Sequence, residues 1–479
     1  MAYRYGNREQ INLFPESIEQ YVSEEDPVRA YDAFIDALDI EELGIKLNEH
    51  AVGPPPYDPI AMLKILVYGY SYGWRSSRKL ERALNHNVSF MWLGGGLKPD
   101  FKTINTFRSD NKQALKNTLK LCARMCIKLD LIDGNTLFVD GGKFRANAGN
   151  SQTKSKDAWK KMMVGVQKRI DQLIDECERV DLYETESLVK MQKELRSKKK
   201  LKSKIDELIG EIKQEKAING TDPDCKIMRG RQGSHAGYNS QAVVDEAHGL
   251  LASLEAVDQV TDHHQMEQQI NNAEENLGKL CENGCADAGY HDIDALKPLM
   301  EDNKKIIVPS NKQALKNPKE EPFGKQAFIY NPEKDTYACP VGEELYRSSQ
   351  AKGRNKIAYR MKRESACKIC KHYGQCTTAK RGRTIYRMVN EETKQELEKL
   401  YKSKVGQEIY AKRKMKVELP FGHIKRNLGA GTFLLRGLEG VNAELGILGS
   451  CFNIARMITL LGGVRPMVAK MKEIRVYAG

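Results

Sequence analysis

Up to about residue 130 the apolar positions recur at helical spacing, as in Ile60, Leu63, Leu66, Val67 and Tyr70, and predict a set of short helices. Two of the helix starts share one signal. Asp26-Pro27 and Asp58-Pro59 each put a side-chain acceptor at the N-cap and a proline at the first helical position, where no backbone donor is needed. The period then changes. TLFVDGGKFRANAG (136–149) is a short apolar run ending in an acid and two glycines, which predicts a buried strand delivering Asp140 to its tip. Residues 155–217 return to helical spacing without proline, through Trp159, Met162, Val166, Ile170 and Leu173 and then Leu195, Leu201, Ile205, Leu208 and Ile212. This predicts two long helices bent near 181–187, an inserted arm or equally a solvated spacer.

Strand signals resume after Pro223. GYNSQAVVDEAHGLLASLEAV (237–257) reads as a hairpin whose turn chemistry comes from Asp245 and Gly249. A helix from His264 to Leu280, a short strand running into Asp287, and a further strand in KKIIVPS (304–310) follow. Residues 311 to about 385 are Lys-rich and Pro-containing. The chain then closes on a helix from about Glu392 to Ile424, with a break expected at Pro420, and on an apolar helix from Ala443 to Leu461 expected in the core. This element order is that of an α/β protein, a mixed sheet with helices on its faces.

Composition narrows the function. At 479 residues with 29% charged side chains, and a mean hydropathy of −0.58, two or more soluble domains are expected, with no signal peptide and no membrane span. The expected location is the cytoplasm. A net charge of +13 fits a partner that carries phosphates. Eleven cysteines without a secretory signal point to reduced thiols, so a close cysteine cluster reads as a metal site before a disulfide framework.

Three groups of residues carry candidate chemistry. GWRSSRKLERAL (73–84) is a glycine-led turn followed by a helix, with Arg75, Arg78, Lys79 and Arg82 beside Leu80 and Ala83. That pattern suits a helix-turn-helix reading helix, and equally a solvated basic helix. Asp140 and Asp287 each close an apolar strand and Glu418 lies on a basic helix. Three carboxylates from separate elements can hold two divalent ions that neutralise the attacking and leaving oxygens of a phosphodiester, although an acid at a strand end is more often a cap or turn residue. Cys339, Cys367, Cys370 and Cys376 could supply four thiolates to one structural zinc, with His372 a substitute ligand and free thiols the alternative. Cys122 and Cys126, like Cys281 and Cys285, read as core.

Tyr410, Arg413, Glu418 and Lys425 resemble the Tyr-Arg-Glu-Lys signature of DDE transposases encoded by bacterial insertion sequences, with four residues rather than the common three between Arg413 and Glu418. The resemblance extends over Tyr57-Asp58-Pro59, Gly69-Tyr70, Ser76-Ser77-Arg78, Trp92-Leu93, Pro99-Asp100, Thr103-Ile104 and Phe107-Arg108. It also covers Asp140-Gly141, Gly237-Tyr238-Asn239 with Gln241, and Asp287-Ala288-Gly289-Tyr290. It implies a ribonuclease H-like mixed sheet on which Asp140, Asp287 and Glu418 bind two Mg2+ or Mn2+ ions, Asp140 bridging both. It also implies cutting at the element's ends, attack of the freed 3′-hydroxyl on target DNA, and contact of Tyr410, Arg413 and Lys425 with DNA near the cut.

The expected division is an all-α DNA-binding module at 1–130, catalytic core at 131–154, 218–310 and 386–479, an inserted helical arm at 155–217 and an inserted zinc-binding subdomain at 311–385. Expected partners are the terminal repeats, target DNA and further copies of the chain, a homodimer or larger, at the bacterial nucleoid. Two other functions share these residues: a metal-dependent DNA nuclease of the same fold without strand transfer, and a DNA-binding derivative that has lost catalysis.

Overall fold

Side-chain acceptors start the first helices as expected. Asp26 Oδ1 takes the Val28 N–H and Asp58 Oδ1 the Ile60 N–H, both at 2.9 Å, opening the helices Pro27–Asp36 and Pro59–Ser71. The computed structural model describes residues 17–45, 56–179, 185–212, 217–230, 233–315, 322–350 and 356–478. Most of the bend expected at 181–187 lies outside them. The chain divides into two units: Met1–Asp262, Gln268–Cys281 and Arg413–Gly479 form the first, and His263–Glu267 and Glu282–Lys412 the second.

In the first unit the long strand Gly233–Asp245 pairs antiparallel with Thr136–Arg145 on one side and with Lys226–Gly230 and Leu251–Val257 on the other. The hairpin turns where Asp245 and Gly249 stand. Asp245 Oδ2 accepts from Ala247 N at 2.8 Å, its Oδ1 ties down Gly134 N at 2.8 Å, and Gly249 takes a φ of +69°. The helix Gly437–Leu460 is the core of this unit, buried along nearly its whole length. It is long and apolar enough to cross a membrane by length and composition, but 72% of its 18-residue apolar window is buried inside the protein. A Cβ on Gly446 would stand closer than 3 Å to the backbone of Leu115 and Lys116, so the helix needs glycine where it crosses Lys112–Lys128. Two buried asparagines about three helical turns apart finish the sheet. Asn453 exchanges bonds of 2.8 and 2.9 Å with the Leu251 backbone, and Asn442 bonds of 2.6 and 3.3 Å with that of Ala256. Side chains of the core helix thus satisfy backbone groups of the strand Leu251–Val257 that, among the described residues, no further strand pairs.

The arm is the antiparallel pair Lys156–Arg179 and Thr185–Glu211. Trp159, Val166, Ile170, Ile205, Leu208 and Ile212 form its own core, Arg169 bonds Glu194 across it at 3.1 Å, and the strands Thr153–Ser155 and Ala217–Asn219 pair at its base.

The second unit opens with the strands Asn283–Cys285 and Lys305–Ile307, parallel and joined through the helix Ile293–Glu301. Residues 311–385, read from the sequence as a polar insertion, contain most of a five-stranded antiparallel meander: Ile329–Asn331, Thr336–Ala338, Glu344–Gln350, Lys356–Met361 and Thr384–Met388. Phe328, Tyr337, Leu345, Tyr359 and Ile385 give it a small apolar core.

Two local expectations are corrected. The break expected at Pro420 falls at Ser403, whose Oγ accepts from Gly406 N at 3.0 Å and so caps a second helix, Lys404–Gly422. Pro420 stays inside that helix, which ends in a wider π-helical turn, His423–Asn427. Asp140 is mid-strand rather than at a tip, because pairing continues through Gly141 and Gly142 to Arg145. Those glycines make no turn. They leave room for groups packed on the backbone, since a Cβ on Gly142 would lie 2.5 Å from the Phe421 ring and one on Gly141 closer than 3 Å to the Asp262 carboxylate.

Candidate active site

Successive strand residues face opposite sides of a sheet, so Asp140 and Gly142 share the face on which Phe421 lies. Phe421 is one helical turn beyond Glu418. The two acids accordingly line one open cleft of about 860 Å³, together with Lys143, Arg145, His235 and Lys425. Glu418 is exposed and Asp140 half-buried.

Arg413 donates from Nη1 to Asp140 Oδ1 at 3.3 Å. Its place in the signature is one residue off the common spacing, yet its guanidinium reaches the first acid. Lys425, on the π-helical turn, lies over the Phe144 ring at 4.4 Å and the Phe421 ring at 5.6 Å. Burial lowers its pKa from the ordinary lysine value, and the Asp140 carboxylate works against that shift. His235 is likewise held below its ordinary value, first by burial and then by Arg145, Lys143 and Lys425. The cleft therefore joins two carboxylates to a cationic flank, as a site for a phosphodiester requires.

Asp287 belongs to the second unit. It stands two residues past the end of the strand Asn283–Cys285 and caps a short turn by accepting from Gly289 N at 2.8 Å. Tyr410, also of that unit, packs edge-on against Tyr401 with ring centroids 5.1 Å apart.

Among the basic residues of 73–84, Arg78, Lys79 and Arg82 are exposed while Leu80, Ala83 and Leu84 are buried, as a reading helix needs. Arg78 also lies over the Phe101 ring at 5.0 Å. Arg75 is a correction. It is 9% exposed and turned inward, paired with the fully buried Glu444 at 2.5 Å and donating to Gly429 O at 2.8 Å and Thr432 O at 3.0 Å. It precedes the helix, so its side chain meets the C-terminal part of the chain instead of solvent.

Cys339, Cys367, Cys370 and Cys376 line one pocket of about 250 Å³ in the second unit, and none forms a disulfide. Arg383 N–H points to Cys367 Sγ at 3.5 Å. Burial raises the Cys376 thiol above its ordinary pKa and the other three sulfurs add to this, while Arg383 opposes it. Among the described residues no three His, Cys, Asp or Glu side chains are arranged to hold a metal ion, at this pocket or at the carboxylates. Cys122, Cys126, Cys281 and Cys285 are buried core residues.

Comparison with known families bears on both ends of the chain. Residues 16–110 match a transposase domain (DUF772), and residues 338–458, which include Glu418 and Lys425, match a transposase DDE domain. These matches support a DDE transposase. No curated protein and no solved structure matches the chain. The transposase matches bring with them DNA as the partner and divalent metal use in general.

Sequence reasoning had missed Lys143, Arg145 and His235 at the cleft, and Asp262 behind it. Nothing in DGGKFR singled out the first two, since Lys143 and Arg145 stand three and five positions after Asp140, out of phase with it along a strand.

Proposed function

We propose that this transposase binds the terminal inverted repeats of its element, cuts the DNA there, and joins the freed 3′-hydroxyl ends to target DNA, on a ribonuclease H-like core. The observation that carries the reading is the cleft shared by Asp140 and Glu418 with its cationic flank, in a chain with a transposase DDE match. Asp140, Asp287 and Glu418 would hold two Mg2+ or Mn2+ ions, whose chemistry is to neutralise the attacking and leaving oxygens. Arg413 holds the Asp140 carboxylate in place, and Lys425 and Tyr410 meet phosphate beside the cut. Arg78, Lys79 and Arg82 bind the element's ends, and a homodimer or larger assembly brings two ends to one target. Four thiols in one pocket have the donor chemistry of a structural zinc site, with Cys339, Cys367, Cys370 and Cys376 as ligands.

Amide substitution at Asp140, Asp287 or Glu418 tests the reading, because it removes a negative ligand while nearly preserving shape. Each variant should still shift a terminal-repeat duplex on a gel and should no longer cut it with magnesium or manganese. Glu418→Gln cutting at the wild-type rate would refute the assignment. A wild-type protein that cuts but never joins ends to a target would instead be a nuclease.

A further inference from the structure

Asn239 and Gln241 stand two apart on the strand Gly233–Asp245, so both side chains leave the same face of the sheet. They are 1% and 0% exposed, which is costly for amides without partners. They converge on one atom. Asn239 Nδ2 and Gln241 Nε2 both donate to Asp262 Oδ1, at 2.9 and 2.7 Å.

The register shows what this carboxylate is held against. Gln241 stands opposite Gly141, and Asn239 opposite Lys143. Asp262 Oδ1 consequently sits on the backbone of Gly141, where any Cβ would be closer than 3 Å to it. Gly142 is covered from the opposite face by Phe421. The strand is thus gripped from both sides at the two residues that follow Asp140, by an aromatic ring on the Glu418 face and by a hydrogen-bonded carboxylate on the other.

We propose that Asp262, held by Asn239 and Gln241, is a positioning residue for Asp140: it fixes the strand at Gly141 and so sets where the Asp140 carboxylate stands in the cleft. The idea rests on the metal-dependent reading above, and it explains why two buried amides and a glycine occur at these positions. What Asp262 supplies is a placed acceptor. An asparagine there keeps an acceptor oxygen for both amides, an alanine keeps none, and an alanine at position 141 pushes the carboxylate away.

The test compares wild-type protein with Asp262→Ala, Asp262→Asn, Gly141→Ala and the Gly141→Ala/Asp262→Ala double variant. Mn2+ affinity is measured by calorimetry on the full chain without DNA, beside melting temperature and cleavage of a terminal-repeat duplex. Asp262→Ala should weaken Mn2+ binding and cleavage by about 10–100-fold, the usual effect of losing a group that orients a metal ligand. Asp262→Asn should recover most of both. The double variant should be no worse than Gly141→Ala alone, because the alanine has already displaced Asp262. Wild-type Mn2+ affinity and cleavage in Asp262→Ala would overturn the proposal, as would an Asp262→Asn protein as impaired as the alanine variant, since charge and not placement would then matter. A fall in melting temperature with unchanged Mn2+ affinity would also overturn it. Failure of the wild-type protein to cut, with the Mn2+ pattern intact, would count against the transposase reading and leave this one standing.

Discussion

Arg75→Met should unfold the protein before it affects recognition of DNA. The guanidinium is 9% exposed and bonds Glu444, Gly429 O and Thr432 O, while Glu444, fully buried, also accepts from Leu434 N at 2.8 Å and Leu435 N at 3.1 Å. Methionine fills the stem of the side chain but leaves the Glu444 charge with two backbone donors and no cation. Removing one partner of a buried pair costs about 3–5 kcal/mol. With roughly 2.1 cal/mol/K of unfolding entropy per residue, a unit this large shifts by about 1.4 °C per kcal/mol, so the melting temperature should fall by about 4–7 °C. Glu444→Gln should also destabilise, and the double variant should be less destabilised than the two single losses added together, because it no longer buries an unpaired charge. The assay is thermal unfolding followed by circular dichroism, with terminal-repeat binding measured well below the transition. The folded fraction of Arg75→Met should bind DNA as wild type does. A melting temperature within about 2 °C of wild type, together with lost DNA binding, would refute the argument and return Arg75 to the reading surface.

Replacing Arg78, Lys79 and Arg82 together by alanine should have the opposite profile: an unchanged melting temperature, weaker end binding, and a salt dependence reduced by about one unit of slope for each phosphate that is no longer neutralised. Unaltered binding would put recognition elsewhere. The purified protein should contain about one zinc per chain that is released when Cys367 and Cys370 are changed to serine; metal analysis that finds none in fully active protein would dismiss the zinc assignment.

Local features of the sequence determined local structure here. Asp26 and Asp58 cap their helices through their own side chains, and Asp245 and Gly249 make their turn within a few residues, so each signal and its effect lie side by side in the chain. The apolar helix near the C-terminus was legible for a similar reason: a run with so few polar residues is stable only inside. Acidic residues with a recognisable signature also marked Asp140 and Glu418, which the fold brings to one cleft. The meander of the second unit was not legible, because its strands alternate over only a few residues in a Lys-rich background and acquire a core by pairing with one another. Arg75 and Arg78, three positions apart in the same basic stretch, could not be told apart either. What separates them is Glu444, some 370 residues downstream, whose buried carboxylate takes one cation out of solvent and leaves the other in it. The glycines after Asp140 followed the same rule. In sequence they resemble a turn, and only the arrival of Phe421 and Asp262 on either face makes them a place where the strand must run straight and bare. Contacts between residues this far apart are chosen by packing, which no window along the chain contains.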